Sequence, residues 1–123
     1  MIIAIIPAKE KSTRLKNKNL IKINGKTLLD HAISYVKKSK FIDFFLVSTE
    51  SKKIQKYLKQ NKIPFVNRPR KLCGEAPLID VYKHAYEKIP FKSKIKVIVG
   101  VQCDHPDRKH NLDKILSIFK KKN

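Results

Sequence analysis

Apolar positions along this chain switch between unbroken runs and helical spacing. Residues 2–6 (IIAII) form a continuous apolar run rich in β-branched side chains. A run that does not alternate with polar residues is the pattern of a strand covered on both faces. Pro7 closes it. Residues 8–19 are polar and basic, without period, and predict a loop. Residues 20–23 form a short extended stretch before Asn24-Gly25, a turn signal. Thr27-Leu28-Leu29-Asp30 fits a capping box, and Leu28, Leu29, Ala32, Ile33 and Val36 then share one helical face. Residues 44–48 read as a second buried strand, followed by a lysine-rich helix with Ile54, Tyr57 and Leu58 as its stripe. Phe65-Val66 is a brief strand and residues 69–77 an irregular loop. Residues 78–89 predict a helix with Leu78, Ile79, Tyr82, Ala85, Tyr86 and Ile89 facing inward. Residues 96–102 read as the third strong strand. Residues 104–110 read as a loop, and Asn111 as the cap of a last helix carrying Leu112, Ile115, Leu116 and Phe119.

Strands that alternate with helices predict a three-layer α/β sandwich with a mainly parallel sheet. Ligands on such sheets bind beyond the carboxyl ends of the strands. Two polar stretches fall there, residues 8–19 after the first strand and residues 103–108 after the third strong one. Neither an internal repeat nor a linker divides the chain, so residues 1–123 read as one unit.

Composition narrows the class. With 123 residues and 41% apolar side chains the chain can bury one core, and 3 Gly and 6 Pro exclude collagen-like and low-complexity classes. The net charge is +19, but only four basic residues are arginines (Arg14, Arg68, Arg70, Arg108), and the lysines are spread along the chain. Nucleic-acid readers lean on arginine for bidentate contacts. No RRM, KH or zinc-finger signature is present. A specific nucleic-acid partner is therefore not expected, and a basic nucleic-acid-binding module is carried only as an alternative. The surplus charge still draws anionic ligands such as nucleotides. Cys73 and Cys103 have no CxxC or zinc spacing and read as reduced thiols. The apolar N-terminal run is too short to span a bilayer and lacks the features of a signal peptide, so no membrane role and a cytoplasmic location are expected.

The loop at residues 8–19 carries the first candidate chemistry. It holds a small residue, two hydroxyls, an arginine, several lysines and an asparagine directly after a buried strand. Backbone N–H groups, cations and hydroxyls together can surround a triphosphate. Neither GxxxxGK[ST] nor GxGxxG is present. The second candidate is Gln102-Cys103-Asp104-His105-Pro106-Asp107-Arg108. An aspartate at the carboxyl end of a strand near a triphosphate suits Mg²⁺, which takes one or two carboxylates with phosphates and water. The same aspartate can instead cap its own turn. His31 and His84 sit inside predicted helices and read as partly packed, and Cys103 as a buried neutral thiol.

The run from Ile6 to Leu20 resembles the signature P-A-R-x-x-S-[KT]-R-L-P-x-K-N-L of sugar-activating nucleotidyltransferases. The likeness is to CMP-sialic acid synthetases (acylneuraminate cytidylyltransferases), with CMP-KDO synthetases as cousins. Four further blocks agree in order. They are Gly25-Lys26-Thr27-Leu28-Leu29, Val47-Ser48-Thr49-Glu50, Arg68-Pro69…Leu72 with Asp80-Val81…His84-Ala85, and Val101-Gln102-Cys103-Asp104-His105-Pro106. Lys9, Glu10-Lys11 and Lys16 depart from the signature, where the family has Arg, a glycine-rich pair and Pro.

The resemblance implies a nucleotide-diphospho-sugar transferase-like fold, of which residues 1–123 are the N-terminal, nucleotide-binding part, apparently truncated. It implies transfer of CMP from CTP to a sialic-acid-like 2-keto sugar acid, with release of pyrophosphate. Arg14 and Lys18 are the expected catalytic cations. Ala8, Lys9, Ser12, Arg14, Lys18, Asn19, Arg68 and Gln102 are the expected nucleotide-binding residues. Asp104 matches the Q-G-D-x-P pattern of the KDO enzymes, where the aspartate binds Mg²⁺, and Asp107 is a weaker second candidate. Partners implied are CTP, an acidic sugar and, in the family, a second copy of the chain. With the family's later carboxylates outside this sequence, weak Mg²⁺ binding and little turnover by the chain alone are expected. The alternative is an inactive remnant that only binds nucleotide.

Overall fold

The central strand, β1 (Ile2–Pro7), pairs parallel with a strand on either side. The coordinates are those of a computed structural model, and the structure describes residues 1–8, 22–23, 26–73 and 76–103. The other described elements are β2 (Lys22–Ile23), β3 (Lys26–Thr27), α1 (Leu28–Lys37), β4 (Phe44–Thr49), α2 (Lys52–Gln60), β5 (Phe65–Asn67), α3 (Leu78–Glu87) and β6 (Val97–Gly100). Single 3₁₀ turns lie at Arg70–Leu72 and Lys92–Lys94. The main sheet runs β5-β4-β1-β6, all parallel, while β2 and β3 form a separate antiparallel pair with Lys22 opposite Thr27. Asn24-Gly25, read as a turn signal, lies outside the described residues, as does the helix predicted after Asn111.

Both faces of β1 are buried, as its unbroken apolar run requires. Successive side chains alternate between two cores. Ala4, Ile6 and Ala8 join Leu29, Ala32, Val36, Ile54 and Leu58 on the side of α1 and α2. Ile3 and Ile5 join Leu46, Ala85 and Ile89 on the side of α3. The result is the three-layer arrangement expected from the sequence. Thr27 begins α1 through a reciprocal capping box: its hydroxyl accepts from Asp30 N–H at 3.0 Å, and the Asp30 carboxylate accepts from Thr27 N–H at 3.3 Å.

Two expectations are corrected. The stripe of α3 is Val81 and Ala85, continued by Ile89 past the helix end, with Tyr82 packed beside them. Leu78 and Ile79, expected inward, are 38% and 56% exposed. At about 100° per residue, Ile79 points roughly 120° away from Ala85, off the sheet-facing side. Leu78 shares the inner face but lies in the first turn, at the rim of the sheet. The strand expected over residues 96–102 is shorter, and β6 alternates between half-buried and exposed positions, with Ile98 38% exposed. Among the described residues β6 pairs only with β1, so it is an edge strand.

Candidate functional site

The chain proceeds outward from β1 to β4 and β5, then returns to place β6 on the other side of β1. The sense of the strand order therefore reverses between β1 and β6. In open parallel sheets the crevice at such a reversal, beyond the carboxyl ends, is where ligands bind. The two stretches singled out in the sequence leave the sheet at this point.

Ala8 follows β1 and is 1% exposed, and its N–H donates to the Ser48 carbonyl at 2.9 Å. On the opposite side Val101 N–H donates to the Ile5 carbonyl at 3.0 Å, extending the β1–β6 ladder. Pro7 has no N–H to donate, and β6 ends at Gly100 opposite Ile5. The buried Cys103 fills the space beyond, its thiol 3.6 Å from the Pro7 carbonyl. This is the packed thiol expected from the sequence. Ala8 and Cys103 share the α1–α2 core, so residues 8 and 103 leave the sheet side by side. Gln102, directly before Cys103, is exposed. Lys9, Ser12, Arg14, Lys18, Asn19, Asp104 and Asp107 lie outside the described residues.

The Val47-Ser48-Thr49-Glu50 block organises the adjoining rim. The Thr49 hydroxyl accepts from Ser51 N–H, and its carbonyl accepts from both Gln55 Nε2 and Arg68 N–H at 3.0 Å. Ser51 caps α2 by accepting from Ile54 N–H, and Gln55 Nε2 also donates to Asn67 Oδ1. These bonds fix the backbone of Arg68 against the end of β4. Ser48 is fully buried, and its Oγ has no hydrogen-bond partner.

Arg68 is the unusual residue. It is 2% exposed, and neither Nε nor Nη1 has a hydrogen-bond partner. Burial lowers its pKa, opposed by Cys73, Glu50 and Tyr82, all within electrostatic reach. An arginine stays charged in proteins, so two of its donors are sequestered from water without an acceptor. Glu50 offsets the buried charge only in part, and donors left without acceptors are costly to bury, so Arg68 is placed at the expense of stability. Buried, unsatisfied donors of this kind call for an explanation, and a ligand acceptor supplies one.

Tyr82 connects this residue to the far strand. A Cβ at Gly100 would lie 2.3 Å from the Tyr82 hydroxyl, so the ring tip covers the end of β6. Strands β5 and β6 are three spacings apart, about 14 Å. Arg68 and Tyr82 together span that distance across the rim. Burial raises the Tyr82 pKa and Arg68 opposes it. The Cys73 thiol donates to Glu50 Oε2 at 3.3 Å and lies 3.6 Å from the Pro69 carbonyl. Sequence reasoning has Glu50 only as part of a family block, Cys73 as a reduced thiol and Tyr82 as a stripe residue, and assigns none of them to the site. The signal available was their position: Glu50 directly follows the apolar run of β4, and Tyr82 lies on the inner face of a helix that starts at the rim. Among the described residues no three His, Cys, Asp or Glu side chains group to hold a metal ion. No helix among them is long and apolar enough to cross a membrane.

Comparison with known proteins accords with this geometry. A model of the family described as "Cytidylyltransferase" matches residues 3–123. A 3-deoxy-manno-octulosonate cytidylyltransferase from Wigglesworthia glossinidia brevipalpis is 34% identical over 120 residues, covering 97% of this chain and 46% of the relative. One from Francisella tularensis subsp. novicida is 47% identical over 103 residues, covering 83% of this chain and 39% of the relative. Among solved structures, a CMP:2-keto-3-deoxy-manno-octonic acid synthetase complexed with CTP superposes with a TM-score of 0.80 at 19% identity, covering 98% of this chain and 47% of that one. A cytidylyltransferase from Leptospira borgpetersenii superposes with a TM-score of 0.70 at 24% identity, covering 99% and 48%. These structural likenesses establish the fold. The chain thus spans two fifths to one half of the length of the proteins it matches.

Proposed function

This chain belongs to the cytidylyltransferase family, and on that premise we propose that it carries the nucleotide site of an enzyme that couples CTP to a 2-keto sugar acid. The observation that carries the reading is the buried Arg68 guanidinium at the carboxyl rim, its Nε and Nη1 without partners, in the sheet whose strand order reverses at β1. In the proposed reaction the anomeric hydroxyl of the sugar acid attacks the α-phosphorus of CTP. A new O–P bond forms, the bond to the bridging oxygen breaks, and pyrophosphate leaves. Such transfers depend on positioning and charge stabilisation more than on a side-chain nucleophile.

Lys9, Arg14 and Lys18 take the phosphates, with Ser12 adding a hydroxyl donor. Ala8 and Asn19 lie against base or ribose, and Arg68 and Gln102 contribute from the neighbouring strand ends. Ala8 itself is packed in the core and its N–H is committed to Ser48, so it anchors the start of this loop at the end of β1. Asp104, one residue beyond Cys103, is the proposed Mg²⁺ ligand. The ion would supply charge neutralisation on the triphosphate. Glu50, a described carboxylate of this rim, already accepts from Cys73 and faces Arg68.

The names of the relatives favour 3-deoxy-manno-octulosonate as the acid, and so does the Q-x-D-x-P spacing of Gln102, Asp104 and Pro106. A sialic-acid-like acid is the second candidate. Pyrophosphate release from CTP and Mg²⁺, measured with each acid in turn, separates them. Stimulation by the octulosonate over a nonulosonic acid is expected. The reverse order would move the substrate to the sialic class. Release by neither acid, with CTP bound, would restrict this chain to nucleotide binding.

A further inference from the structure

Beyond the two Arg68 nitrogens, a third buried nitrogen lacks a partner among the described residues: Nδ1 of His84, on α3. His84 is partly buried among positive charges contributed by three parts of the fold. Lys88 lies on its own helix, Lys71 in the 3₁₀ turn Arg70–Leu72, and Arg68 at the end of β5. Tyr82, Glu50 and Cys73 complete the surroundings through Arg68. Among the described residues, the three cations around the imidazole are opposed by Glu50, through Arg68, and by Asp80 one turn back on α3, which leaves net positive charge around polar atoms that have no hydrogen-bond partner. Such a set suits an oxyanion, because charge-assisted bonds to phosphate or carboxylate are the strong ones.

We propose that His84 completes, with Arg68 and Lys71, a receptor for a ligand oxyanion, and that its imidazole takes up a proton from solvent when the oxyanion arrives. The proposal rests on the nucleotide and sugar-acid reading above, whose two substrates supply a phosphate or a carboxylate. Without ligand, burial holds the His84 pKa below its ordinary value, and Lys88, Lys71 and Arg68 push the same way. An arriving anion offsets those charges and offers an acceptor to the new N–H, so the proton becomes favourable. Binding should therefore strengthen as the pH falls towards the ligand-free pKa.

The test is an NMR titration of the histidine rings, with His84 identified by its loss in His84→Gln. Spectra are recorded free and with inorganic triphosphate, CTP or the octulosonate. The expected result is a rise of about 1–3 pH units in the His84 midpoint with one of these ligands. Movement with CTP assigns a phosphate, and movement with the sugar acid alone assigns a carboxylate. The Gln variant, which keeps a hydrogen-bonding side chain, should lose about tenfold in affinity at pH 6 and little at pH 8. Ligand binding that leaves the His84 midpoint in place would overturn the proposal and spare the proposed function. A shift with triphosphate but no binding of CTP would do the opposite. Failure of all three ligands to bind would sink both.

Discussion

Tyr57 and Asp30 show how single side chains tie the helical layer together. The Tyr57 hydroxyl on α2 donates to Asp30 on α1, the carboxylate that also closes the capping box with Thr27. Burial, followed by the hydrogen bond and charge of Asp30, pushes the Tyr57 pKa up to about 12. The folded state therefore holds this proton more tightly than the unfolded chain, whose tyrosine titrates near 10. The resulting stabilisation is complete below pH ~10 and disappears as pH rises through ~12. Ultraviolet titration of tyrosinate should show a tyrosine that ionises near pH 12 and is lost in Tyr57→Phe, and chemical denaturation should show stability falling across that window in the parent chain but not in the variant. A Tyr57 that ionises near 10 would contradict the pairing.

Local elements were legible where their signals are local. The capping box was readable because Thr27 and Asp30 are three residues apart. The two buried faces of β1 were readable because its apolar run does not alternate. The end of α2 was not readable. Lys62 there adopts φ 57, with Lys62 N–H bonded to the Lys59 carbonyl and Ile63 N–H to that of Leu58 at 2.9 Å. This is the left-handed helix stop that glycine usually provides. Lysine carries no sequence mark of that conformation, and the buried Ile63 holds it in place. Lys62→Gly should raise stability by about 1 kcal/mol, read from denaturant unfolding, because the Cβ penalty of the left-handed region is removed. Unchanged or lower stability would mean that the turn is not under this strain. Ile79 is misassigned to the inward face of α3 because apolar character alone does not set a residue's angle on the helix, and Leu78 because it does not say where a helix outruns its core. The burial of Arg68 was invisible for a related reason: it depends on β4, the 3₁₀ turn and α3 meeting at one rim. The resemblance marked Arg68, but only the packing shows its donors without partners.

Across the whole molecule, the +19 charge and the parallel sheet act together. The charge raises the local concentration of any polyanion, whereas the rim between Ala8, Arg68 and Gln102 would have to provide selectivity. These contributions separate by salt and by base. General attraction weakens steeply with ionic strength and ignores the base. A built cytidine site distinguishes CTP from other triphosphates at the same charge. Isothermal calorimetry of the chain with CTP, ATP and GTP, at about 0.15 M salt and again at several-fold higher salt, tests this most directly. The expected result is CTP bound more tightly than either purine nucleotide, by about tenfold or more, with the preference kept at high salt. Equal affinities for all three, vanishing together as salt rises, would show that the rim is only a basic surface.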